Sequence, residues 1–113
     1  MPEDCVFCKI ADGRIPADLV YEDAEFVAFR DIDPQAPAHV VLIPRAHVPT
    51  LLDLPDRGAA GGLLLAANET ARRLGLAESG FRLVGNCGPD AGQEVPHVHV
   101  HVLGGRCMGW PPG

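Results

Sequence analysis

Near its C-terminal end the chain reads His97-Val98-His99-Val100-His101-Val102-Leu103. Alternate side chains of an extended strand share a face. One face of this run therefore carries three imidazoles and the other three valines. The valines form a core face of good strand formers. Three neighbouring groups that titrate near neutrality suit proton handling, metal ligation or nucleophilic attack. A lone histidine is most simply a satisfied core residue. Three at period two, between a turn-rich stretch at 87–93 and Gly104-Gly105, point to chemistry. A metal held by this strand alone would lack a fourth ligand nearby in sequence. As a nucleophile, a neutral imidazole attacks phosphorus through one nitrogen while a hydrogen bond at the other fixes its tautomer. A second, protonated imidazole then donates to the leaving group.

The other reactive cluster is Cys5-Val6-Phe7-Cys8. This spacing is a zinc half-site and also a redox-pair spacing, so alone it is a weak signal. A tetrahedral site needs two more ligands. Cys87 and Cys107 have no evident partners in sequence and read as small buried residues.

The elements that must position these groups follow from pattern. Residues 6–11 read as a short helical turn closed by Gly13. Residues 19–22 and 26–29 form a hairpin. Two prolines make 31–37 a loop. Residues 39–43 are a buried strand stopped by Pro44. Residues 55–74 carry helical spacing through Ala60, Leu63, Leu64, Ala67, Ala71 and Leu74, with Gly75 as the stop. Gly58, Gly61 and Gly62 weaken its first turns; either another backbone packs closely there or the turn is loosely formed. Residues 81–86 are the next strand. Strands before and after one long helix predict an α+β domain with a mostly antiparallel sheet and a short N-terminal helix.

The 113 residues are 47% hydrophobic and 21% charged, which suits one globular domain over 1–113. A net charge of -6 argues against a nucleic-acid polymer as partner. No apolar run is long enough to span a bilayer. The acidic start leads into no signal-like segment, so a cytoplasmic location with reduced thiols is expected.

The triad motif resembles the signature of the histidine triad (HIT) family. The resemblance extends through residues 31–39, Ile43-Pro44, Gly92-Gln93, Gly104-Gly105-Arg106 and the final Trp110-Pro111-Pro112-Gly113, and is strongest to the Hint branch, purine nucleoside phosphoramidases that act as homodimers. It implies a HIT-like fold and hydrolysis of purine nucleoside 5′-phosphoramidates, releasing AMP or GMP through a nucleotidyl-histidine, with no catalytic cofactor. His99 would be the nucleophile, with His101 assisting proton transfer to the amine and His39 behind the nucleophile. Asp31, with Ile32 beside it, would hold the ribose. Asn86 and the amides around Gly92, Gln93 and Glu94 would hold the phosphate. Val6, Phe7, Ile10 and Phe29 would form the base slot. Some bacterial relatives imply a structural zinc on Cys5, Cys8, His47 and His97. Many relatives carry a small hydroxyl residue in place of Glu94; a carboxylate there, if it points outward, would favour a cationic leaving group. The alternatives are a dinucleoside polyphosphate hydrolase of the same family and a nucleotide-binding regulatory protein with vestigial activity.

Overall fold

A computed structural model describes residues 3–113. Its elements are α1 (Val6–Ala11), β1 (Leu19–Glu22), β2 (Phe26–Arg30), β3 (Ala38–Pro44), a 3-10 turn (Leu51–Asp53), α2 (Arg57–Arg73), β4 (Phe81–Val84) and β5 (Val100–Gly104). The strands form one antiparallel sheet in the order β1-β2-β3-β5-β4. The α+β reading and the mostly antiparallel sheet are therefore observed.

The period-2 alternation of the inner strands divides the sheet into two buried faces. Phe26, Ala28, Val40, Leu42, Val98, Val100 and Val102 pack under α2 with Leu63, Ala66, Ala67 and Ala71. The opposite face carries Val27, Phe29, Val41 and Ile43, covered by Phe7 and Ile10 of α1 together with Ala11 and Ala17. Arg45, just past β3, fastens α1 to the sheet: its guanidinium donates to the Ala11 carbonyl at 2.8 Å and to the Asp23 carbonyl at 2.9 Å.

The long helix starts two residues later than its pattern predicts. Asp56 takes the N-cap position, and its carboxylate accepts from the Ala59 amide at 2.8 Å. The buried stripe is Leu63, Ala66, Ala67, Thr70 and Ala71. Leu64 lies off this stripe and is exposed, contrary to expectation. Thr70 is buried because its hydroxyl donates to the Ala66 carbonyl within the helix. Among the glycines of this helix, Gly62 meets the Phe26 ring and not another backbone: a Cβ there would lie 3.2 Å from it.

The pairing of β5 begins at Val100, three residues after the triad starts. Leu42 pairs with Val100, so the next β3 residue in phase is Pro44, which has no N–H to give. The ladder stops, and the Val98 amide instead donates to the Val48 carbonyl. β4 likewise ends at Val84 and not at 86.

Candidate active site and metal centre

The triad face of β5 is turned away from α2, and hydrogen bonds set the tautomer of each ring there. His99 Nδ1 lies 2.8 Å from the His97 carbonyl. A carbonyl only accepts, so Nδ1 carries the hydrogen and Nε2 keeps a lone pair. Phe7 meets the His99 ring edge-on at 5.1 Å, and the ring is buried. The Gln35 amide donates to His39 Nδ1 at 3.0 Å. His39 therefore bears its hydrogen on Nε2, which donates to His101 Nδ1 at 2.9 Å. His101 is left with its own hydrogen on Nε2. His39 thus stands behind His101, not behind His99 as the resemblance suggests. Asp31 Oδ2 lies 3.4 Å from His39 Nε2 and 4.0 Å from His101 Nδ1. Burial, then the neighbouring His99 and His39, push the His101 pKa below its ordinary value, with Asp31 opposing. The free site holds His101 neutral near pH 7.

A cavity of about 940 Å³ opens in front of His99 and His101. Val6, Phe7, Ile10 and Phe29 form its apolar part, with the Phe7 and Phe29 rings edge-to-face at 5.6 Å. Asp31, Ile32, Asn86, Gly92 and Glu94 also line it. Ile32 and Glu94 are exposed at its mouth. Gln93 does not line it. Its side-chain amide donates to the Pro49 and Val95 carbonyls, its Oε1 accepts from the Gly88 amide, and its own N–H donates to the Gly88 carbonyl. The Gly92 N–H is likewise spent on the Pro89 carbonyl. These two amides brace the loop and are not free for a ligand, while Asn86 and Glu94 line the cavity. Sequence reading missed Ile15, Pro16, Ala17 and Asp18, which also line the cavity. They lie in the irregular segment between α1 and β1, where no periodicity marks a lining residue.

On the other side of His97, the ligand atoms of Cys5, Cys8, His47 and His97 lie within 4.8 Å of one another. Cys5 caps α1, its sulfur accepting from the Cys8 amide, so the first helical turn places both thiols together. His97 is fully buried and donates through Nε2 to the Pro44 carbonyl at 2.8 Å. Its Nδ1 lone pair therefore faces Cys5 Sγ at 3.3 Å and Cys8 Sγ at 3.5 Å. His47 Nδ1 lies 3.3 Å from Cys8 Sγ. Two sulfurs and two imidazole nitrogens, one of them on a ring whose other nitrogen is held by a backbone carbonyl, fit a tetrahedral zinc ion. Burial keeps His97 neutral and pushes the Cys8 thiol up to about 11, with Cys5 adding to the effect. A second group of potential ligands, Asp31, His39 and His101, is already joined by the His39–His101 hydrogen bond. Cys87 is half-buried and Cys107 exposed, so neither is the buried residue expected. Among the described residues no buried side-chain nitrogen or oxygen lacks a partner. No described helix is long and apolar enough to cross a membrane.

An antiparallel five-stranded sheet crossed by one long helix, with alternate histidines on its far face before a cavity, defines the histidine triad class. The HIT domain model matches residues 12–108, and the chain belongs to the HIT family. It is 49% identical to an uncharacterized HIT-like protein of Synechococcus elongatus over the full length of both chains. It is 44% identical to a purine nucleoside phosphoramidase of Escherichia coli, over 96% of this chain and 93% of that one. Among solved structures, a HIT family hydrolase of Legionella pneumophila superposes with a TM-score of 0.92 at 50% identity, covering 97% of this chain and 100% of that one. A histidine triad protein of Clostridium difficile gives 0.92 at 41% identity, with 96% of each chain covered.

Proposed function

We propose that the protein hydrolyses purine nucleoside 5′-phosphoramidates through a nucleotidyl-His99 intermediate. The observation that carries this reading is the bond from His99 Nδ1 to the His97 carbonyl, which commits the Nε2 lone pair to attack. Nε2 bonds to the α-phosphorus as the P–N bond breaks. The departing nitrogen accepts a hydrogen bond from His101 Nε2, takes its proton from solvent and leaves as the neutral amine, while the His39–His101 pair stays neutral. Water then attacks phosphorus and gives up its proton to solvent. His99 leaves as a neutral imidazole, and the nucleoside monophosphate is released. Asp31 is suited to accept the ribose hydroxyls, and the apolar wall to take the base. The similarity to the Escherichia coli phosphoramidase supports this substrate class.

In the same reading Cys5, Cys8, His47 and His97 hold zinc. The ion would tie the N-terminal turn to the sheet and take no part in the reaction. The chain pairs with a second copy, for which edge strand β4 and exposed Trp110 offer a surface.

Brief mixing with an adenosine 5′-phosphoramidate followed by intact-mass spectrometry tests the chemistry. A nucleotidyl adduct and AMP release, both abolished by His99→Ala, are expected. Tight binding of AMP with neither adduct nor turnover would overturn it in favour of a binding protein.

A further inference from the structure

The hydrogen-bond chain that ends at His101 begins outside the cavity. Arg106 follows β5 and its diglycine. Its Nε and Nη2 both donate to the Gln35 carbonyl, at 3.3 and 3.1 Å, and its Nη1 donates to the Cys107 carbonyl at 3.2 Å. The next contact inward is the Gln35 N–H on His39 Nδ1 at 3.0 Å, and the next is His39 Nε2 on His101 Nδ1 at 2.9 Å. We propose that Arg106 is a positioning residue for His101, acting through Gln35 and His39 to keep the hydrogen of His101 on the nitrogen that faces substrate.

Polarity carries the argument. Gln35 sits in a proline-flanked loop with no ladder of its own, between Asp31 and the start of β3. Besides the Arg106 fork, this loop is held by the Gln35 side-chain amide on the Asp33 carbonyl, by the Asp33 N–H on the Asp31 carboxylate, by the Asp31 N–H on the His39 carbonyl and by the close approach of Pro37 to Gly105. A backbone N–H can only donate, so while Gln35 stays in place His39 Nδ1 must accept. That choice propagates: His39 Nε2 donates, His101 Nδ1 accepts, and His101 Nε2 is an N–H. If Gln35 drifts, the buried Nδ1 of His39 loses its partner, which a buried polar atom does not tolerate cheaply. The hydrogen of His39 can then move to Nδ1. The chain runs backwards, His101 donates to His39, and His101 Nε2 offers the departing amine a lone pair in place of a hydrogen. An arginine outside the cavity would thus decide whether the site offers the departing amine a hydrogen-bond donor. Lysine, whose donors sit on a single nitrogen with no planar fork, would hold Gln35 less well.

The kinetic part of the test rests on the phosphoramidase reading; the spectroscopic part does not. In the full-length protein with its bound metal, ¹⁵N NMR should show Nδ1 of both His39 and His101 without hydrogen. Arg106→Ala should give both rings mixed tautomers, with Arg106→Lys in between. Arg106→Ala should also lose about tenfold more kcat on an alkylamine phosphoramidate than on the p-nitrophenyl ester of AMP, whose leaving group needs no proton. Unchanged ring-nitrogen signals in either folded variant would overturn the proposal, as would equal losses on both substrates. A wild-type protein inert to both would sink the phosphoramidase reading, while the ring-nitrogen signals would still decide the role of Arg106.

Discussion

Replacing Gly105 by alanine tests the seam between the end of β5 and the loop that carries Asp31. Gly105 has φ +89°, and a Cβ built on it would fall 2.9 Å from Pro37 Cβ and 3.3 Å from Pro37 Cγ. Two costs combine. An L-residue in left-handed backbone costs roughly 1–2 kcal/mol. Forcing a methyl against a neighbour that cannot rotate costs roughly 1–3 kcal/mol. Pro37 is such a neighbour, because its ring is fixed to the backbone on both sides. The sum is roughly 2–5 kcal/mol, with a centre near 3.5. At about 4 °C per kcal/mol for a domain of this size, Tm should fall by about 14 °C. Thermal unfolding followed by circular dichroism reads this directly. Gly109→Ala is the control, since its Cβ meets nothing within 4 Å and its φ is not positive. A Gly105→Ala shift no larger than that of the control would refute the close approach and the strain together.

Two further outcomes follow from the metal cluster and the titration of the triad. Purified protein should carry one metal ion per chain, and chelation should lower Tm, because an ion present at about 1,000 times its Kd adds about 4 kcal/mol. Loading should also release protons and weaken as pH falls, since the Cys8 thiol at about 11 must ionise to ligate. Metal analysis by mass spectrometry against added zinc, with Cys8→Ser as comparison, checks both. For His101, burial and two imidazole neighbours lower the folded pKa below the 6.5 of the unfolded chain. Between those two values the unfolded state binds more protons, so the contribution of His101 to stability is whole above pH 6.5 and is lost as pH falls through the folded value. NMR titration should place it below 6.5, and lower still in Asp31→Asn, where the one opposing charge is gone.

Much of the fold is legible in the sequence because its signals are local. The Val/His alternation gives both faces of one strand, and the Cys5-Cys8 spacing places two thiols on one helical turn. What escaped reading depends on partners distant in sequence. The late start of β5 is decided by Pro44, more than fifty residues away, which withholds the N–H the ladder needs. Leu64 belongs to a plausible helical stripe, but the stripe that is buried runs through Ala66 and Thr70, because the sheet meets the helix at a slightly different angle around its axis. The resemblance gives the Gln93 amide to a phosphate, yet its N–H closes the turn onto the Gly88 carbonyl and its side chain ties the loop to the Pro49 carbonyl. His39 was expected beside the nucleophile; the strand register sets it opposite Leu103 and its ring against His101.

The three groups that orient the histidines are the Pro44 carbonyl, the His97 carbonyl and the Gln35 amide. All belong to the main chain, so every amino acid except proline at 35 supplies them equally. Alanine scanning would pass over them in silence and credit the site to its side chains alone. Only chemistry that edits the peptide link itself, such as replacing the amide at 35 by an ester, would expose how much of the site's proton geometry is written in the backbone.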